Sequence, residues 1–165
     1  MARKAVKNEA TTEYTVTTGT PSEDATIRAA LAILEARVKR ETILASSNGT
    51  KNYLIMRAAG LQSEVFSVMF LDNMHGLIAV EDMFTGTIDG AAVYPREVVK
   101  AALHHNAAAV ILTHNHPSGV VEPSQADIVI TRRLKQALGT IDVRVLDHIV
   151  TAGGKCESLA ERGLV

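Results

Sequence analysis

The segment AAAVILT, residues 107 to 113, constrains the fold more than any other part of the chain. It is a short, continuous apolar run bounded by turn signals, with no polar face. A strand of that kind has to be covered on both sides, so the sheet that contains it needs a layer on each face. The neighbouring segments fit such a sheet. EVFSVMFLD at 64–72 is rich in β-branched and aromatic residues and short enough to be a strand. DNMHG at 72–76 reads as a turn, and LIAVEDMFTG at 77–86 as the return strand of a hairpin. VRVLDHIVT at 143–151 is a further strand, and the glycine pair at 153–154 turns the chain. The hairpin excludes a purely parallel sheet, and no GxGxxG follows a strand. The expected fold class is therefore α/β (α+β), a sandwich of helices around a mixed sheet.

Helices are predicted between and before these strands. TPSE at 20–23 reads as a helix start, with Thr20 as cap, Pro21 in the first helical position and Glu23 completing a capping box. Ile27, Leu31, Leu34 and Val38 then follow at helical spacing. SSNG at 46–49 breaks the chain, and a second short helix runs from about 50 to 59, ending at Gly60. A third helix begins near Pro95, with Val98, Val99, Ala102 and Leu103 on its buried side, and ends near Asn106 in a left-handed cap. A fourth spans about 124 to 138, stopped by Gly139, and SLAERGL near the C-terminus is read as one helical turn. Residues 1–19 are polar and aperiodic and are read as a flexible tail. Residues 20–165 are read as a single domain, its helical part at about 20–60 and its core at about 61–165.

Composition narrows the function classes. Seventeen basic and eighteen acidic side chains nearly cancel, so charge supports no nucleic-acid partner and no anionic membrane surface. The longest run of small and apolar residues is far short of the roughly 20 that span a bilayer. Cys156 is the only cysteine, which suits a reducing, cytoplasmic location. It also excludes nucleobase deamination, which needs a P-C-x-x-C ligand pair.

The chemistry-bearing stretch is THNHPSGVVEPSQAD, 113–127. In an extended segment, side chains at i and i+2 point the same way, so His114 and His116 can face one ion. Asp127 falls in the first turn of the predicted fourth helix, and the loop with Pro117, Gly119 and Pro123 can fold that turn back over the histidines. Two imidazoles and a carboxylate form a three-ligand set, for which zinc is the default ion. Such a set leaves a position open for water, as catalytic rather than structural zinc sites do. The same residues have a plainer reading: histidines at a strand end are often merely exposed, and SQAD fits an ordinary capping box. A hydrolytic site also needs a general base; Glu64, Glu81, Glu97 and Glu122 are candidates, and spacing does not choose among them.

HNHP, followed through Pro123 by SQAD, matches the H-x-H-x7-S-x-x-D signature of the JAMM (JAB/MPN+) metalloproteases. The chain resembles the RadC-like branch of that superfamily more closely. The resemblance rests on EVFSVMFLD, FTGTIDGAAVYPREVVKAALHHNAAAVILTHNHPSG, PSQADIVITRRLKQAL, RVLDHIV and SLAERGLV, from about residue 50 onward. It implies a three-layer α/β/α sandwich with a mixed sheet, similar to the cytidine-deaminase fold. It implies His114, His116 and Asp127 as ligands of one zinc ion per chain, Glu64 as the catalytic base and Ser124 as the motif serine. The activity implied is hydrolysis of a peptide or isopeptide bond in a peptide or protein substrate. Asn115 stands where Ser or Thr is usual outside the RadC-like branch, and no catalytic role is expected of it. The helix-hairpin-helix region of long RadC proteins has no counterpart in the helices read here, so DNA binding is not carried over. The alternative function is a non-catalytic protein-interaction module on the same fold, with a structural or vestigial metal site. Asp147 and His148 are read as strand residues, one facing in and one out, with a carboxylate behind a ligating histidine as a further role for Asp147. Cys156 is read as a packed side chain.

Overall fold

A computed structural model describes residues 21–40, 47–86 and 92–165. The elements in chain order are α1 (Pro21–Arg40), α2 (Ser47–Ala58), β1 (Val65–Leu71), β2 (Leu77–Thr85), α3 (Pro95–His104), β3 (Ala109–Asn115), α4 (Gln125–Gly139), β4 (Arg144–Ala152) and β5 (Lys155–Ser158). The strands form one five-stranded sheet in the order β2-β1-β3-β4-β5. β1 is antiparallel to both β2 and β3, β3 runs parallel to β4, and β5 returns antiparallel to β4. The predicted tail and the Thr20 cap lie outside the described residues.

The doubly apolar strand dictates the layers. Every residue of β3 is buried. Val110 and Leu112 pack with Phe66, Val68 and Phe70 of β1 against Val98 and Ala102 of α3 and Leu134 and Leu138 of α4. The alternate residues, Ala109 and Ile111, join Met69, Leu71 and Ile149 against Tyr53 and Leu54 of α2, with Leu31 of α1 at the margin. Two separate apolar clusters, one per face, make this the expected three-layer sandwich. On the α2 side a polar contact adds to the packing: the Arg57 guanidinium lies 2.8 Å from Asp82 of β2, whose carboxylate also accepts from the Ser67 hydroxyl at 2.6 Å.

Several boundaries differ from the sequence expectation, each for a local reason. Asn106 does take the left-handed conformation, with φ of 50°. The amides of Asn106 and Ala107 bond back to Leu103 and Ala102, a paired closure that ends α3. That closure uses up Ala107, so β3 begins at Ala109 and runs on to Asn115, placing His114 inside the strand instead of on a loop. Ser47, Asn48 and Gly49 form the first turn of α2 and not a break before it, because small polar residues suit helix starts as well as turns. Leu103, expected on the buried side of α3, is 60% exposed; five residues beyond Val98 it has rotated off the packed face. The C-terminal segment supplies a short edge strand, β5, and then turns, with Leu159 fully buried and no helix. Four mixed residues, KCES, carry no strand pattern of their own.

Leu134 is fully buried where α4 meets the sheet. Leu134→Ala is expected to lower unfolding free energy by about 2–5 kcal/mol, whereas Leu103→Ala on the exposed side of α3 should stay within about 0.5 kcal/mol. Urea titration of both variants checks the pair.

Candidate metal centre

Three elements bring the predicted ligands together. His114 alternates with Val110 and Leu112 along β3, so its ring emerges on the α3/α4 face, opposite Phe66 in the β1 register. His116 lies one residue past the strand, but its amide still donates to the Thr151 carbonyl of β4 at 2.8 Å. The extended spacing therefore continues far enough for both imidazoles to share a direction. The chain then turns: the Gly119 amide donates to the His116 carbonyl at 3.1 Å, with Gly119 at φ of 82°, a conformation that suits glycine. The returning loop presents the Val120 carbonyl to His116 Nδ1 at 2.7 Å. α4 then opens on Ser124, whose hydroxyl oxygen accepts from the Asp127 amide at 3.2 Å while the Asp127 carboxylate accepts from the Ser124 amide at 2.6 Å. The capping box and the ligand reading of SQAD thus coexist, and the cap fixes the carboxylate over the histidines.

The donor atoms converge. His114 Nε2 lies 2.9 Å from His116 Nε2 and 3.2 Å from Asp127 Oδ1, and His116 Nε2 lies 3.6 Å from Asp127 Oδ2. His114 and Asp127 are buried and His116 partly so. A tetrahedral zinc ion with bonds of about 2.0 Å sets its ligand atoms roughly 3.3 Å apart, which these spacings bracket. The tautomers fit as well. A carbonyl only accepts, so His116 Nδ1 carries the proton toward Val120, and its Nε2 lone pair faces His114 and Asp127. A carboxylate and imidazole lone pairs facing one point make a position for positive charge, and this cluster could hold a metal ion.

The electrostatics agree. Burial pushes the Asp127 carboxyl up, but its contacts with the His114 and His116 rings and with Ser124 outweigh it and hold the group well below the usual carboxylate range. The hydrogen bond that a protonated His116 ring donates to Asp127 raises the His116 pKa, against burial, with the Val120 carbonyl and the Glu64 charge helping. His148 goes the other way: burial, reinforced by the nearby His114, lowers it to about 3.

Glu64 immediately precedes β1 and shares the face of Phe66 two residues on, the face that carries His114. Its backbone is held tightly. Its own carbonyl accepts from the Gly86 amide at 2.7 Å. On either side, the Asn115 side chain accepts from the Val65 amide at 2.8 Å and donates to the Ser63 carbonyl at 2.9 Å. Asn115, of which no catalytic role was expected on sequence grounds, has a structural one: it clamps the segment that carries Glu64 to the end of the histidine strand. The other candidate bases are engaged elsewhere. Glu81 pairs with His105 at 2.6 Å, Glu97 with Lys100 at 2.7 Å and Glu122 with Arg162 at 2.8 Å.

His148, read from the sequence only as a strand residue, is fully buried against the cluster, with Nε2 2.9 Å from His114 Nδ1. Asp147 does not stand behind a ligand; it accepts from the Ser158 hydroxyl at 2.7 Å and the Ala160 amide at 3.0 Å, securing the turn after β5. Only the parallel register of β3 and β4, Leu112 opposite His148, brings His148 to the site, and no local pattern encodes that pairing. Beside His116 a cavity of about 380 Å³ opens between the end of α2, the loop after β3 and the β4–β5 turn, lined by Met56, Gly60, Asn115, Gly119, Gly154 and Lys155 among others. Cys156 is a free thiol, half-buried and packed against the α2-side cluster as expected.

Residues 44–164 match the family model described as the RadC-like JAB domain. The chain is 58% identical over 132 residues to a UPF0758 protein of Nitrosococcus oceani, covering 80% of this chain and 59% of that protein. It is 54% identical over 141 residues to a UPF0758 protein of Marinobacter nauticus, covering 86% of this chain and 63% of that one. A UPF0758 protein of Vibrio cholerae is 58% identical over 132 residues, or 80% of this chain and 59% of the relative. The chain thus spans about three-fifths of the length of these curated relatives.

Asn115→Ala removes both clamping bonds at a buried position. It is expected to cost about 1–3 kcal/mol, because the Val65 amide and Ser63 carbonyl lose their partner. Hydrogen exchange should localise the loss to the start of β1.

Proposed function

The chain belongs to the RadC-like JAB domain family, and from that premise we propose that it is a zinc-dependent hydrolase of the JAMM type that cleaves a peptide or isopeptide bond. One observation carries the reading: the nitrogens of His114 and His116 and the carboxylate of Asp127 meet within 4.8 Å of one another at the end of a buried strand. Three protein ligands leave a fourth position for water or substrate, as catalytic zinc sites do. A zinc ion in such a set supplies Lewis acidity and brings the pKa of water down to roughly 7.

The chain's own groups do the rest. Glu64, fixed through its neighbours by Asn115, takes the proton from the attacking water and later delivers it to the leaving amine. Its charge already acts on His116, which supports a position beside the reacting centre. Ser124 uses its oxygen as an acceptor in the cap, so its hydroxyl proton remains to donate to the developing oxyanion. Such donors contribute on the order of 3 kcal/mol to the barrier. The cavity beside His116 receives the substrate chain, its mostly small and apolar lining leaving room for an extended backbone. No described helix is long and apolar enough to cross a membrane, and the free thiol of Cys156 suits the cytoplasm as the place of action.

Purified protein is expected to hold close to one zinc per chain by elemental analysis, and His116→Ala to hold almost none. Zinc should also raise the melting temperature of the stripped protein and chelator should reverse the gain, as binding to the native state alone requires. Against a panel of peptide and isopeptide substrates, Glu64→Gln should keep the zinc and lose turnover. Undiminished turnover by Glu64→Gln removes that residue from the base role. Zinc without turnover on any substrate favours the interaction-module reading.

A further inference from the structure

Behind His114 lies a chain of hydrogen bonds whose direction is set at its far end. The Thr131 hydroxyl donates to the Asp127 carbonyl at 2.5 Å, one turn back along α4. Having spent its proton there, the Thr131 oxygen can only accept from His148 Nδ1, 2.6 Å away. His148 then carries its proton on Nδ1, and its Nε2 is a lone pair that accepts from His114 Nδ1 at 2.9 Å. His114 Nδ1 is therefore protonated and its Nε2 is left as a lone pair, aimed at His116 and Asp127. Thr131 and His148 are both fully buried, so water does not compete for these bonds.

We propose that His148 and Thr131 are positioning residues of the metal centre, which fix His114 in the tautomer and ring orientation that bind a divalent cation through Nε2. The inference rests on the reading of His114 as a ligand. Ligating histidines commonly pass their second N–H to a carboxylate, a carbonyl or water. Here a neutral imidazole takes that place and relays the bond to the backbone of Asp127. The chain closes a ring through two ligands, His114 on β3 and Asp127 on α4, so docking of α4 on the sheet and readiness of the ligand set are one event.

Zinc affinity of the full chain, measured by competition with a chromophoric chelator at fixed pH, tests this with three variants. His148→Leu keeps the bulk and removes the acceptor, and zinc binding should weaken roughly 10- to 100-fold, the usual cost of losing such a partner. His148→Gln restores an amide oxygen where Nε2 stood and should recover most of the loss. Thr131→Val should fall between them. In the zinc-loaded wild type, ¹⁵N NMR should show coupling through the hydrogen bond between His114 Nδ1 and His148 Nε2. Melting curves of the stripped variants separate folding from affinity; if His148→Leu does not fold, His148→Gln, Thr131→Val and the wild-type coupling still decide. Wild-type protein that binds no zinc overturns the metal reading itself. Wild-type binding matched by His148→Leu and Thr131→Val, or a missing coupling, overturns this inference alone.

Discussion

The two-sided burial of β3 is the constraint from which the rest of the molecule follows. Its residues alternate between two apolar clusters, Val110 and Leu112 toward α3 and α4, Ala109 and Ile111 toward α2. Neither cluster can be omitted without exposing one face of the strand, so helices are held on both sides. A strand so enclosed also has a fixed direction and register at its C-terminal end. That end is where the chemistry sits: His114 on one face, Asn115 on the other, and His116 just beyond.

The site gathers groups that repel one another in the absence of positive charge. Imidazole lone pairs and a carboxylate meet at separations of 2.9 to 3.6 Å, partly shielded from water. Each is held there by bonds that have other structural uses. The Asp127 carboxylate caps α4, the His116 ring closes the loop onto Val120, and His114 leans on His148. Fold stability thus keeps the three donors assembled, and donors already in place lower the cost of binding a cation.

Much of the architecture was legible along the chain. The hairpin, the doubly buried strand and the SQAD helix start each announce themselves through local patterns: β-branched and aromatic runs about a turn, an unbroken apolar run, and capping chemistry. The convergence of the candidate trio was legible for the same reason: His114 and His116 share one extended segment, and Asp127 occupies a defined place in a helix start. The misreadings have local causes too. β5 is four residues of mixed character, and Ser47–Gly49 carry side chains equally at home in a turn or a first helical turn.

By itself, the sequence determined the layer order around the sheet and the kinds of donor atoms offered at the end of β3, because both depend on spacing within single elements. Tertiary structure alone decided which groups stand behind those donors. Asn115 reaches Ser63 and Val65 across fifty residues of chain, and His148 reaches His114 through the pairing of two parallel strands. Such partnerships are fixed by the register between segments distant in sequence, and a register is a property of the packed sheet that no one strand carries.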